Sequence, residues 1–350
     1  MSAGAREAIS GGAGRRLLAA RMQACAPSLL RELGLPLPVL PRALVNARRI
    51  VATGVGSSEA HARFLVSLLA AELGIAARFR HLGEFLGAPP DDAESSALVV
   101  FSQGLSPNAR FALAAPERWA ALVVCTSVRS EQCDAERRAC LEQLLAAGGH
   151  LVAVGAPAAQ DEYGTLVRVV GPLLGLAVAL RLARALARAR GAAEPASWAP
   201  ALPELEAALA RAPDLLVDAL AQLPADAAAR PLAFLASGEY AERVANLPLK
   251  CLEGLLRPRP QLIDPLAFAH GPLQQAWDSE LCLIALERPD AAGEARLIER
   301  IAKLLDPRRH ALLRLRASLP SPCAAFEHEL MLNRLLLLRC DSEAIDPASW

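Results

Sequence analysis

Three groups of residues in the sequence have the types and spacing to do chemistry. The first is Gly54-Val55-Gly56-Ser57-Ser58, which follows the apolar run Arg49–Thr53 and opens a helical pattern. Glycines let a backbone approach a ligand, and the N–H groups of a helix start, with two hydroxyls, suit a phosphate or another anion. The second is Ser102-Gln103-Gly104-Leu105-Ser106-Pro107-Asn108, small and polar, after the apolar run 97–101. The same Ser and Asn residues also serve as plain helix caps. The third group begins with Lys250 and Glu253, a cation and a carboxylate three apart on one helix face, and continues seventeen residues on with His270, Gly271 and Pro272. A carboxylate and a histidine can do general acid–base chemistry; the same residues also read as a surface ion pair and a loop histidine without a role.

The elements that must position these residues alternate. Strand patterns at 49–53, 97–101, 121–125 and 150–154 are separated by helical patterns at 57–73 and 131–147 and closed by 169–189. A Pro/Ala linker at 191–203 and a helical connector at 204–223 follow. Strands at 232–235, 281–286 and 311–315 then alternate with helices at 242–256, 294–305 and 326–338. Continuous apolar strands separated by helices predict parallel sheets covered on both faces, an α/β doubly wound, three-layer αβα fold, with ligands at the C-terminal strand ends. The expected domains are 1–195 with an N-terminal helix, a linker and connector at 196–230, and 231–350 with a C-terminal helix and tail. Pro248 predicts a kink or restart within 242–256.

Composition narrows the classes. The 350 residues carry 37 basic and 37 acidic side chains, 53% are apolar and only 4% aromatic, which disfavours nucleic acid as a partner. The apolar run 169–180 contains Gly and Pro and falls short of the roughly 20 residues a membrane helix needs, so no membrane association is expected. The N-terminal residues lack an apolar signal core, and eight scattered cysteines show no Cys-x-x-Cys, so a cytoplasmic protein with reduced thiols is expected and no metal site. Arg181, Arg184, Arg188 and Arg190 read as the wet face of an Ala/Leu helix.

Together, Thr53–Ser58, Gly83-Glu84-Phe85, Phe101-Ser102-Gln103, Leu249–Glu253 and Ala269–Pro272 resemble the sugar isomerase (SIS) family. The pattern is most similar to the double-SIS isomerase half of glucosamine-6-phosphate synthase and to stand-alone isomerases, deaminases and deglycases of sugar phosphates. The resemblance spans roughly residues 20 to 345. It implies a phosphate pocket lined by Gly54, Gly56, Ser57, Ser58, Ser102 and Gln103, with Ser106 and Asn108 as further donors. It implies Glu253 as the base that moves a proton between C1 and C2, His270 as the ring-opening acid/base reaching across from a second subunit of a homodimer, and Lys250 as a group steadying the oxyanion. No cofactor is implied.

The chain departs from that pattern in places. The family's Ser-x-Ser-Gly-x-Thr turn becomes Ser102-Gln103-Gly104-Leu105-Ser106-Pro107, the tail from Cys340 to Trp350 has no lysine to form an imine, and no glutaminase segment is present. Two other readings compete with a C1/C2 proton-transfer enzyme. One is a non-catalytic sugar-phosphate-binding protein. The other, an NADP-dependent dehydrogenase, rests on Gly54-x-Gly56 and on Arg78 and Arg80.

Overall fold

The computed structural model describes residues 12–87, 93–129, 133–155, 165–224 and 226–348. The predicted strands all form, and two short ones join them. Contacts divide the described residues into two units, 28–155 with Gly171–Trp198, and 12–27 with 165–170 and 199–348. The cut after Trp198 lies near the expected one at 195, none falls at 230, and the described N-terminal residues up to Pro27 group with the later half of the chain.

The first unit holds β1 (Arg49–Thr53), β2 (Ala77–Phe79), β3 (Ser96–Phe101), β4 (Ala121–Thr126) and β5 (His150–Ala153) in one parallel sheet ordered β2-β1-β3-β4-β5. After most of α1 (Ala13–Gly34), its helices are α2 (Arg42–Asn46), α3 (Ser57–Ser67), α4 (Arg110–Leu113), α5 (Ala135–Ala146) and α6 (Val170–Ala189). Leu98, Val100, Leu122 and Val124 present one face of the sheet to Leu141 and Leu144 of α5. Their neighbours Ala97, Val99, Phe101 and Val123 are equally buried on the other face, as a strand period of two demands of a doubly covered sheet.

In the second unit, β6 (Leu232–Leu235), β7 (Gln261–Ile263), β8 (Leu281–Glu287) and β9 (His310–Arg316) are parallel in the order β7-β6-β8-β9. The helices are α7 (Leu202–Leu220), α8 (Gly238–Arg243), α9 (Asn246–Leu255), α10 (Pro265–Ala269), α11 (Pro272–Ala276), α12 (Ala292–Ala302) and α13 (Ala324–Ser342). Helix α13 packs on α7 and α9, and Ile298 and Ile301 of α12 cover Leu235, Leu283 and Ala285.

Two expectations are corrected. The helix expected over 242–256 is two, α8 and α9, broken at Val244 and Ala245; Pro248 then sits in the first turn of α9, where its missing N–H costs nothing. Of the four arginines expected on a wet face, only Arg188 is exposed. Arg181 is buried in an ion pair with Glu32, whose other oxygen accepts from the Gly155 N–H at 3.0 Å. Arg184 and Arg188 share Glu194, and Arg190 donates to the Ala47 carbonyl at 2.9 Å. Helix α6 is long and apolar enough to cross a membrane, and most of it is buried inside the protein. All eight cysteines are free thiols and six are buried.

Candidate active site

Strands β1 and β3 lie side by side in register from Arg49 opposite Ser96 to Thr53 opposite Val100. The chain leaves β1 towards β2 on one side, while β3 leads to β4 on the other, so the crevice beyond Thr53 and Phe101 is the topological switch point of this sheet. Both glycine- and serine-bearing turns open there. Gly56, the residue preceding α3, has φ 62°, and a Cβ on Gly54 would lie 2.3 Å from the Ser58 carbonyl oxygen, so both positions require glycine. Ser57 and Ser58 begin α3 half-buried, and neither hydroxyl has a hydrogen-bond partner among the described residues.

The second turn is more committed than its sequence suggests. The Ser102 hydroxyl accepts from the Ser106 N–H at 3.2 Å and keeps its own proton to donate. Gln103 is a strut. Its carbonyl accepts from the Ser127 N–H (3.0 Å), the Ser127 hydroxyl (2.8 Å) and the Thr126 hydroxyl (3.0 Å). Its side-chain amide donates to the Gly171 carbonyl at the start of α6. The amide implied as a phosphate donor is therefore engaged by the protein. Ser106 is half-buried and Asn108 exposed at the rim. The corresponding turn of the second unit carries an anion of its own: the Ser237 N–H donates to Glu294 Oε1 at 2.8 Å, and Glu294 pairs with Arg288 at 2.9 Å.

On α9, three residues of spacing separate two very different side chains. Asn246, Lys250 and Gly254 share the buried stripe at i, i+4, i+8, so Lys250 points into the interface with α13. Its ammonium is ion-paired with Glu329 and donates to Asn333 Oδ1 at 2.6 Å, while Asn246 donates to Glu329 Oε1 at 2.9 Å. All four are about 1% exposed. Lys250 thus neither pairs with Glu253 nor faces solvent, which corrects both the surface ion pair and the free ammonium expected of it. Glu329 and Asn333 were not singled out by sequence; the available signal was an acidic and an amide side chain at i, i+4, four residues apart on one face of the helical pattern 326–338.

Glu253 lies off that stripe, in a recess of about 450 Å³ with Leu166, Leu252, Leu256, Arg257 and Pro258. Its carboxylate makes no hydrogen bond or ion pair with a described residue, and burial raises its pKa against the opposing pull of Arg168 and Lys250. The C-terminal tail backs the recess: the Leu166 N–H donates to the Pro347 carbonyl at 2.9 Å, and Thr165 bridges to Ala348. His270 ends α10, exposed, without a partner for its ring among the described residues. No described contact joins it to Glu253 or Lys250.

No family model and no curated protein matches the sequence. Solved structures do match by fold. Glucosamine-6-phosphate deaminase from Thermotoga maritima is 16% identical with a TM-score of 0.70, over 95% of this chain and 96% of that one. The C-terminal domain of glucosamine-fructose-6-phosphate aminotransferase from Francisella tularensis is 11% identical with a TM-score of 0.67, over 95% and 97%. Tagatose-6-phosphate ketose/aldose isomerase from Escherichia coli is 16% identical with a TM-score of 0.60, over 95% and 94%. The chain has the fold of these double-sheet sugar-phosphate proteins along nearly its whole length.

Proposed function

We propose that this chain, built on the double-SIS fold, is a sugar-phosphate enzyme that moves a proton between C1 and C2, as an aldose–ketose isomerase or an amino-sugar-phosphate deaminase or deglycase. The observation that carries the reading is Glu253: a half-buried carboxylate, its pKa raised by burial, with no partner among the described residues. A structural carboxylate is normally paired; an unpaired one shifted towards neutrality is suited to accept and return a proton. The fold shared with a glucosamine-6-phosphate deaminase and a ketose/aldose isomerase adds support.

In this reading the phosphate rests on the hydroxyls of Ser57, Ser58 and Ser102, with Ser106 and Asn108 at the rim and Gly54 and Gly56 allowing close backbone approach. His270, contributed by the second subunit of a homodimer, moves a proton from the anomeric hydroxyl to the ring oxygen and opens the sugar. Glu253 takes the C2 proton and the electron pair passes to the C1 carbonyl to give a cis-enediolate or enolamine; a hydroxyl or amine proton moves from the C2 substituent to O1 as the carbon-bound proton returns from Glu253 to C1, and on an amino sugar water hydrolyses the resulting C2 imine and releases ammonia. Lys250 makes no substrate contact here; held by Glu329 and Asn333, it fixes the α9 helix that carries Glu253.

The test is Glu253→Gln. It is expected to abolish interconversion of the bound sugar phosphate while leaving its Kd within about tenfold, because it removes a proton carrier but little ground-state contact. Retained turnover would remove Glu253 from the reaction. A second reading, a sugar-phosphate-binding protein without turnover, is favoured by one observation: Lys250 and Gln103, two polar groups implied to face the ligand, are engaged by the protein itself. Sugar-phosphate binding without turnover by the wild type would establish it.

A further inference from the structure

A further cavity lies in the second unit and is not part of the site above. It encloses about 620 Å³, the size of a small-molecule pocket. It opens at the beginnings of the strands: Leu232, Gln261 and Leu281, the first residues of β6, β7 and β8, line it. The turn with Ser237 stands at the opposite, C-terminal end of the same sheet, so this cavity is not the switch-point crevice of its sheet.

Its lining combines two chemistries. The floor is apolar, with Leu255, Ile263, Phe268 and Pro272 among its residues. Four arginines, Arg230, Arg257, Arg259 and Arg339, also face it. Three carboxylates oppose them: Glu280 in the lining, Asp226 paired with Arg230 at 2.8 Å, and Glu343 shared by Arg257 and Arg339. Four cations against three anions leave the cavity net positive, and the imbalance is localised. Arg259 is exposed and has no partner among the described residues. Arg230 is 5% exposed at its side chain, and its Nη1 is buried without a hydrogen-bond partner while Nε and Nη2 bond to Asp226. Arg230 is thus held by Asp226 in the wall, and Arg259 carries the uncompensated charge on which an incoming anion would form a charge-assisted hydrogen bond.

We infer that this cavity is a second ligand site, taking a small molecule with a flat or branched apolar body and a single anionic group directed at Arg259. It is a site for a carboxylate or phosphate monoester of an apolar group rather than for a free sugar, since few neutral hydroxyl partners line it. Cys251 and Leu255 of α9 line the cavity on one side, and Arg257 and Pro258 belong both to it and to the Glu253 recess, so an occupant packs directly against the helix that carries Glu253.

The probe is 2-naphthoate, an apolar body with one carboxylate, followed by calorimetry with the full chain; 2-naphthylmethanol is the neutral control and inorganic phosphate the competitor. The expected result is one naphthoate site per chain, displaced only by a large excess of phosphate, which lacks the apolar body, undisturbed by the double variant Ser57→Ala/Ser102→Ala, weakened at least about fivefold by Arg259→Ala and abolished by Ala276→Trp, which fills the cavity. Arg259 is exposed and unpaired, so that variant is expected to fold as the wild type does. Absence of naphthoate binding, equal binding of the alcohol, or retention in both cavity variants would overturn the inference. Binding lost only in the serine variant would also overturn it, by placing the anion on the turns of the first unit, and would leave the proposed reaction standing.

Discussion

The burial that makes Glu253 useful also makes it a liability. Its carboxyl has no partner among the described residues, and its pKa is raised by desolvation, so the folded state favours the protonated form. An acid whose folded pKa exceeds its unfolded value contributes stability fully below the unfolded pKa and loses it as pH rises through the folded one. Glu253→Gln is therefore expected to raise the melting temperature at pH 7 and to have no such effect near pH 4; equal melting temperatures at both values would show that the carboxylate is solvated. The same shift sets the acid limb of kcat/KM, because the base must be ionised. Arg168 lowers the Glu253 pKa, so Arg168→Ala moves that limb to higher pH, and an unmoved limb would separate the limb from Glu253. At the other turns, Ser57→Ala and Ser102→Ala are each expected to weaken sugar-phosphate binding by about tenfold with little change in stability, as calorimetry and a thermal melt would report. Residue types announced Glu253, Ser57 and Ser58 in the sequence, whereas the fate of Gln103 did not follow from them. Its amide is turned to the Gly171 carbonyl, 68 residues away, and spacing carries no information about that rotamer.

At the level of elements, the interface of α9 with α13 is a buried ion pair closed by two asparagines. Removing one member leaves the other charge uncompensated. Lys250→Met is expected to destabilise the fold by about 3–5 kcal/mol, and Lys250→Met with Glu329→Leu to recover most of it, by urea denaturation. Were Lys250 instead a surface group, the single change would be nearly silent. What the sequence showed of the elements follows from how each is stabilised. β3, β4 and β8 are apolar runs buried on both faces and were plain to read. β2 and β7 are three-residue edge strands with Arg78 and Gln261 among their side chains, defined by pairing to β1 and β6 and not by any local pattern. The arginines of α6 have the spacing of an exposed face, but their partners Glu32 and Glu194 come from distant or later segments, which periodicity does not reveal.

For the whole molecule, the proposal joins two subunits, with His270 of one acting on the substrate held by the other. Mixing Glu253→Gln and His270→Ala homodimers after subunit exchange then regenerates one intact pair of groups in each heterodimer, or about a quarter of wild-type activity by statistics. No recovery on mixing, with dimers confirmed by sedimentation, would put both residues in one subunit. The fold is shared at 11–16% identity with three solved structures over 95% of the chain, and a shared fold does not by itself fix which reaction its turns and helix ends carry. Proton transfer between C1 and C2 is tested most directly by incubating the wild type in D₂O with aldose and 2-amino-aldose 6-phosphates, which carry a proton on C2, and with ketose 6-phosphates, which carry theirs on C1, and following those protons by NMR. A proton-transfer role for Glu253 requires that the C2 signal of a bound aldose disappear with wild type and persist with Glu253→Gln. A C2 proton that stays in place on every aldose phosphate the wild type binds would contradict it.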